Sequence, residues 1–266
     1  MGRDSRSIVF DQAAEYYDAT RSLQPATQAA VIDHLAAELR GRGRCLEVGV
    51  GTGRIALDLH ARGIPMAGVD LSTAMLAKLV QKAGGRPPFP LAVADATALP
   101  VADAGVGAAV VCHVLHLVDP WQRAAEELVR VIRPGGVLLF ELAERTGGPL
   151  SEMNQRFWSL ASPTGRRPVP GLTDMAALDT LLRALGLGQP RLLPPVVERY
   201  DRHLGDVLDR LEAGIVSGCW GLSEATRRDA AATTREWARQ RFGDLDAPRQ
   251  FEETIRWRAY DAPAST

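Results

Sequence analysis

Leu46-Glu47-Val48-Gly49-Val50-Gly51-Thr52-Gly53 decides the fold of this chain: a strand-length apolar run ends in three alternate glycines, and a helical pattern follows at once. Glycine at every second position lets the backbone turn sharply and approach a ligand with no Cβ in the way. In open α/β sheets such turns lie at the carboxyl edge, where ligands bind. Taken alone, the motif is also what any tight strand-to-helix turn needs, so its surroundings must carry the reading further.

Outward from the turn, strand-length apolar runs recur at residues 44–48, 66–69, 89–93, 106–113 and 137–142. Between them, apolar residues at spacings of three and four mark helices at residues 55–61, 72–82 and 121–132. Strands alternating with helices predict an α/β fold, a Rossmann-like doubly wound sheet. Pro134-Gly135-Gly136 ends the third helix, since proline cannot continue it and glycine takes the left-handed conformation that closes it.

Beyond Glu144 the composition shifts. Residues 162–171, rich in Pro, Gly and Arg, read as a loop and a candidate lid. Thr173-Asp174 is placed to cap a helix that Gly186 closes. Leu204, Val207, Leu208, Leu211 and Ile215 form one helical stripe, and residues 223–242 a second helix. The alternation of residues 251–260 predicts a half-buried strand paired antiparallel with residues 196–203. The expected plan is therefore one domain over residues 1–266, its sheet mostly parallel with an antiparallel C-terminal strand. Residues 1–40 are N-terminal lid helices, 41–145 the core, 146–190 and 204–248 helical insertions forming a cap, and 191–203 and 249–261 C-terminal strands. Phe157, Trp158, Tyr200 and Trp220 either roof an acceptor pocket or build the insertions' own core.

Composition narrows the partners. The chain has 266 residues, 46% hydrophobic and 24% charged, and Lys+Arg 31 against Asp+Glu 32 leaves a net charge of -1. No positive field is available to hold a nucleic acid backbone. Cys45, Cys112 and Cys219 are odd in number and widely spaced, as reduced thiols are. No stretch approaches the ~20 apolar residues that span a bilayer, and the first residues lack a signal-peptide core. We expect a cytoplasmic protein, a monomer or homodimer, with no membrane partner.

Asp70 closes the second strand about 20 residues beyond the glycines, at the distance where an acid accepts hydrogen bonds from both ribose hydroxyls of an adenosine. Gly51-x-Gly53-x-x-Ala56 also satisfies the looser dinucleotide fingerprint, so NAD must be weighed. Glu47 argues against it: a carboxylate near the helix mouth repels a pyrophosphate but suits the ammonium of a methionine moiety, directly or through water.

Glu47-x-Gly49-x-Gly51-x-Gly53, Asp70, Asp95-Ala96 and Arg133-Pro134-Gly135-Gly136, in that order, resemble the motifs of class I S-adenosylmethionine (SAM)-dependent methyltransferases. The similarity is closest to the methyltransferase type 11 subgroup typified by ubiquinone and menaquinone biosynthesis enzymes, and Phe10-Asp11, Ala14, Tyr17-Asp18 and Arg21 resemble its N-terminal segment. It covers residues 8–142 well and the rest loosely. The resemblance implies that residues 41–145 bind SAM and release S-adenosylhomocysteine. It places Gly49, Gly51 and Gly53 along the methionine moiety, Asp70 on the ribose, and Leu71 and Met75 beside the adenine. Asp95 and the Ala96 backbone would meet the adenine edge. Tyr17, with Tyr16 as its substitute, and Arg21 would close over the cofactor, and Cys112 joins the cofactor residues.

Methyl transfer is an in-line displacement, so positioning supplies much of the rate and a base is needed only for a protonated acceptor. His113 and His116 follow the fourth strand where an acceptor enters; His116 is the first choice for such a base and His113 the second, against a packing role for either. Metal binding by the two is not expected, because no carboxylate or cysteine companion is evident. The fourth strand lacks the Asp/Asn-Pro-Pro-aromatic sequence of base N-methylating enzymes, and Val111, not proline, precedes Cys112. The expected function is methyl transfer to O, N or C of a small molecule. The alternatives are a SAM-binding regulatory or scaffold module that performs no transfer, and an NAD-dependent reductase.

Overall fold

The computed structural model describes residues 7–141 and 147–264. A 3-10 turn at Asp11–Ala13 leads into α1 (Tyr17–Arg21) and α2 (Pro25–Leu39), the latter opened by a proline at the position where its missing N–H is not needed. The repeating core follows as β1 (Cys45–Val48), α3 (Ala56–Ala61), β2 (Met66–Asp70), α4 (Thr73–Lys82), β3 (Leu91–Val93), β4 (Val106–Cys112), α5 (Trp121–Val131) and β5 (Ile132–Glu141). Next come α6 (Gly148–Ala161), α7 (Met175–Ala184), β6 (Arg191–Leu192), β7 (Val196–Arg202), α8 (Leu204–Glu212), α9 (Glu224–Phe242), β8 (Arg249–Ile255) and β9 (Trp257–Asp261).

Seven strands form one sheet in the order β3-β2-β1-β4-β5-β9-β6, parallel except where β9 pairs antiparallel with β5 and β6. This is the expected doubly wound, mostly parallel sheet with an antiparallel C-terminal strand. Successive side chains of a strand point to opposite faces, and the core divides accordingly. Cys45, Ala108, Val110, Val137 and Leu139 join one apolar cluster with Ile32 and Leu35 of α2, Leu59 of α3 and Leu79 of α4. Leu46, Val48, Ala109, Val111, Leu138 and Phe140 join the other with Leu128 of α5 and Leu178 and Leu182 of α7. Burial on both faces explains why these strands read as continuous apolar runs. The chain winds away from β1 in both directions, so β1 and β4 flank the switch point where doubly wound sheets bind ligands.

The chain forms two compact units, one of Met1–Ala143, Pro170–Val196 and Ile255–Thr266 and one of Glu144–Val169 and Val197–Thr254. In the second, α6, α8 and α9 bury Met153, Phe157, Trp158, Leu204, Leu208 and Ala231 together. The Phe157 and Trp158 rings meet edge to face at 5.0 Å. These aromatics therefore serve that unit's own core. β7 and β8 form a separate two-stranded sheet, with Tyr200 stacked on Phe251 at 5.9 Å.

Three boundaries differ from expectation. Residues 249–261 are two strands: β8 pairs with β7, whereas β9 enters the main sheet, with Ala259 and Tyr260 in its two opposite clusters. Burial of consecutive residues on both faces is what the period-two reading missed, and Glu253 already broke its apolar side. Helix α7, expected within an insertion, belongs to the first unit, because Leu178 and Leu182 pack with Leu138 and Phe140 and Asp179 accepts from Tyr260 Oη (2.6 Å) and Arg258 Nη1 (2.7 Å). Pairing of β5 begins at Ile132, opposite Val106, then slips at the Pro-Gly-Gly segment and resumes at Val137 opposite Ala108. Leu142, the expected end of that strand, the expected core boundary at 145, and residues 1–6 of the expected lid lie outside the described residues.

Candidate functional site

The glycine turn is pinned to the end of β2. Gly49 and Val50 N–H both donate to Val69 O (2.8 and 3.0 Å), and Gly51 N–H donates to Asp70 Oδ2 (2.8 Å). The other carboxylate oxygen of Asp70 accepts from Ser72 N–H (2.9 Å) at the start of α4. Gly49, Gly51 and Gly53 have φ of 73, 54 and 82°, the left-handed region that side chains rarely enter. A Cβ on Gly49 would fall 2.2 Å from Val114 Cγ2, and one on Gly51 3.2 Å from Met75 Cε. The spacing that opened the sequence reading is thus demanded by backbone shape and by close neighbours. Burial raises the Asp70 carboxyl above the usual range, against the hydrogen bonds from Ser72, Gly51 and Leu71 N–H.

Glu47 is the exceptional group of this region. It is 3% exposed, and among the described residues its Oε2 has no hydrogen-bond partner. Burial pushes its carboxyl up to about 8; Arg54 and the Ala56 N–H oppose the rise, and Asp70 adds to it. An orphaned buried acceptor is costly, and a cationic donor would relieve it.

The N-terminal segment is tied to this edge. Asp11 Oδ1 accepts from Ser72 Oγ (2.5 Å) and Ala74 N–H (3.3 Å), and Asp18 accepts from Thr52 Oγ1 (2.6 Å) and Lys82 Nζ (3.0 Å). Tyr17 meets Phe10 edge on at 6.1 Å. Burial lifts its hydroxyl pKa, Cys112 adds to the rise, and Arg54 and Arg21 oppose it, which places all four in one electrostatic neighbourhood. Leu71 is half-buried, whereas Met75 is 2% exposed under the glycine turn. Asp95 Oδ1 accepts from Thr97 N–H and Oγ1, both at 2.9 Å, and so shapes the turn that carries buried Ala96.

Across the switch point a second cluster forms at the ends of β4 and β5, where Cys112 and Glu141 are register partners. The Cys112 thiol donates to Glu141 Oε2 (3.2 Å), and Arg54 Nη2 donates to Cys112 Sγ (3.1 Å). His113 Nε2 lies 2.9 Å from the same Glu141 oxygen. His113 adopts φ of 57°, a conformation costing a non-glycine residue about 1 to 3 kcal/mol and characteristic of functional sites. Burial pushes the Cys112 thiol well above its ordinary pKa, Glu141 adding to the rise and Arg54 opposing it.

His116, the first choice as base, lies on the 3-10 turn Leu115–Leu117, outside the Cys112–His113–Glu141 cluster, and its carbonyl accepts from Gly171 N–H (3.1 Å). The expectation that His113 lacks carboxylate and cysteine companions is corrected: the fold supplies one of each. Two residues escaped the sequence reading. Arg54 follows Gly53 at the opening of a helix, where the macrodipole disfavours a cation, and that was its signal. Glu141 ends an otherwise apolar strand, as Asp70 does, and its position offered the same clue.

Known proteins resemble the part of the chain that carries this site. Residues 46–140 match a family described as a methyltransferase domain. A demethylmenaquinone methyltransferase of Beutenbergia cavernae is 33% identical over 136 residues, covering 49% of this chain and 55% of the relative, so the chain spans little more than half of that relative's length. The demethylmenaquinone methyltransferase of Streptomyces avermitilis is 30% identical over 170 residues, 62% of this chain and 72% of the relative. Among solved structures, the YcgJ protein of Bacillus subtilis superposes with a TM-score of 0.61 at 18% identity, over 90% of this chain and 99% of that one.

Proposed function

Since the chain belongs to the class I SAM-dependent methyltransferases, we propose that it transfers the methyl group of SAM to oxygen, nitrogen or carbon of a small-molecule acceptor. The observation that carries this reading is Glu47, a buried carboxylate beside the glycine turn whose Oε2 has no hydrogen-bond partner among the described residues. It suits an ammonium and disfavours a pyrophosphate, which separates SAM from NAD on the same fold. Bound SAM supplies a methyl group on a positively charged sulfur that departs as a neutral thioether.

In this reading Glu47 holds the ammonium, while Gly49, Gly51 and Gly53 let the backbone approach the methionine moiety. Asp70, already oriented by Gly51 and Ser72 N–H, accepts from the ribose hydroxyls. Leu71, Met75, Asp95 and Ala96 border the adenine, and Tyr17 and Arg21 close the cofactor from the N-terminal segment. Cys112 borders the cofactor at the end of β4, and His113, which meets Glu141, suits the handling of an acceptor proton better than His116. The demethylmenaquinone methyltransferases among the relatives favour a small-molecule acceptor. No helix among the described residues is long and apolar enough to cross a membrane, and the three cysteines are free. A metabolic role in the reducing cytoplasm fits these thiols.

Calorimetry with SAM, S-adenosylhomocysteine and NAD, followed by incubation with labelled SAM and a panel of acceptors, tests the proposal. We expect one equivalent of either adenosyl compound, no NAD, and a methylated product. Nicotinamide binding in place of SAM would overturn it, and SAM binding with no transfer to any acceptor would favour the regulatory module.

A further inference from the structure

The geometry points to a divalent metal site at the ends of β4 and β5, formed by Cys112 Sγ, His113 Nε2 and Glu141 Oε2 and suited to zinc. One ligand atom from each of the three residues lies within 4.8 Å of the other two. Two of the contacts converge on a single oxygen, with Cys112 Sγ at 3.2 Å and His113 Nε2 at 2.9 Å from Glu141 Oε2. Around a tetrahedral zinc with bonds of ~2.0 to 2.3 Å, ligand atoms sit roughly 3.3 to 3.8 Å apart, so these contacts need widen by less than about 1 Å. One sulfur, one imidazole nitrogen and one carboxylate oxygen form a donor set that favours zinc over magnesium or calcium, whose ligands are all oxygens.

The surroundings support the same cation. His113, whose Nε2 meets Glu141 Oε2, holds φ of 57°, a conformation that non-glycine residues rarely adopt. Arg54 Nη2 donates to Cys112 Sγ, the outer hydrogen bond that a metal-bound thiolate accepts. Binding breaks the Sγ–H bond and forms an Sγ–metal bond; His113 coordinates as neutral imidazole through Nε2, its proton then residing on Nδ1. The thiol proton leaves to water, and no electrons change hands. The His113 side chain is 30% exposed, so three protein ligands leave a fourth position open to water. Activation of an acceptor hydroxyl or thiol at that position rests on the methyl-transfer reading, whereas binding of the metal does not.

The test uses reduced, chelator-stripped full-length protein without cofactor or acceptor, titrated with zinc against a chromophoric competitor and, separately, with cobalt(II). One equivalent of zinc is expected, and cobalt should give a thiolate charge-transfer band. Cys112→Ser and His113→Ala should each weaken zinc by at least about tenfold to 100-fold, the loss that even an outer-shell change causes. Cys112→Ser should also abolish the cobalt band, and Cys219→Ser should leave both readouts intact. Circular dichroism and urea unfolding establish that each variant is folded. No uptake by the wild-type protein, or uptake that Cys112→Ser and His113→Ala leave unchanged, would overturn the site. SAM binding measured on the same samples keeps that failure distinct from failure of the methyltransferase reading.

Discussion

The two sides of the switch point are built by different means. At the ends of β1 and β2, the contacts are mostly backbone: Gly49, Val50 and Gly51 N–H are all spent on Val69 and Asp70. At the ends of β4 and β5, side chains do the work, with Arg54, Cys112, His113 and Glu141 meeting in pairs 28 to 58 positions apart. A turn made of backbone must announce itself in sequence, because only glycine tolerates its shape. A cluster made by strand register need not, since any residue type can end a strand. Glu47 is the exception on the first side, a buried side chain whose Oε2 has no partner among the described residues, and it provides the largest way to probe the contrast.

Burial holds the Glu47 acid at about 8 against 4.5 for an unperturbed carboxyl, so the folded state favours its protonated form. The stability this gives is complete below about 4.5 and is lost as pH rises through about 8. Glu47→Gln cannot ionise. It should therefore be more stable than wild type at pH 9 by on the order of 4 kcal/mol, the difference falling below about 1 kcal/mol at pH 5, as read by urea unfolding. The same variant should bind SAM about tenfold more weakly at pH 7.5, losing a charge-assisted hydrogen bond. Wild-type affinity should climb between pH 6 and 7.5 as Glu47 ionises against the ammonium. An equal response of both proteins to pH would mean that Glu47 does not face the ligand.

Gly49 touches both sides, because its missing Cβ makes room for Val114 beyond β4. Gly49→Ala should cost about 3 kcal/mol, combining left-handed backbone strain of roughly 1 to 2 kcal/mol with the overpacking. Adding Val114→Ala should recover the overpacking share but not the backbone share. A double-mutant cycle by urea unfolding that shows no coupling would separate the two sides completely.

Asp70→Ala removes only the backbone-built side. Two hydrogen bonds to a charged acceptor predict a loss in SAM affinity of about 100-fold or more by calorimetry, with zinc uptake at Cys112, His113 and Glu141 unchanged. Unchanged SAM affinity would remove the ribose assignment.

This division also explains what the sequence disclosed. The strands, the crossover helices, the glycine turn and Asp70 were legible because each depends on local periodicity or on a residue with one conformational use. Asp174 was equally plain as a cap and accepts from Ala176 N–H, whereas Ser72, read only as the first residue of its helix, proves to be the cap that accepts from Met75 N–H. The pairing of Cys112 with Glu141 was not, because it follows from where β4 and β5 align across the slip at the Pro-Gly-Gly segment. The split of residues 249–261 was hidden for a related reason: which sheet a strand joins is a tertiary fact, and Arg256 carries no local signal of a break.

The smallest expected effect concerns the tie between α1 and the glycine turn. Asp18 accepts from Thr52 Oγ1 at 2.6 Å and Lys82 Nζ at 3.0 Å; the ion pair is 37 to 43% exposed, whereas Thr52 is 1% exposed. The exposed pair is worth under about 1 kcal/mol, but a buried hydroxyl stripped of its acceptor costs about 1 kcal/mol more. Asp18→Ala should thus destabilise the protein by about 1 to 2 kcal/mol, Thr52→Val by less because the buried hydroxyl leaves with its partner's need, and the pair together by no more than Asp18→Ala alone. If Tyr17 and Arg21 close over the cofactor, Asp18→Ala should also speed SAM dissociation in stopped-flow measurements while Asp70 still holds the ribose, so the off-rate should rise severalfold. An off-rate that stays at the wild-type value would leave α1 a structural strap on the first side of the switch point, with no part in retaining the ligand.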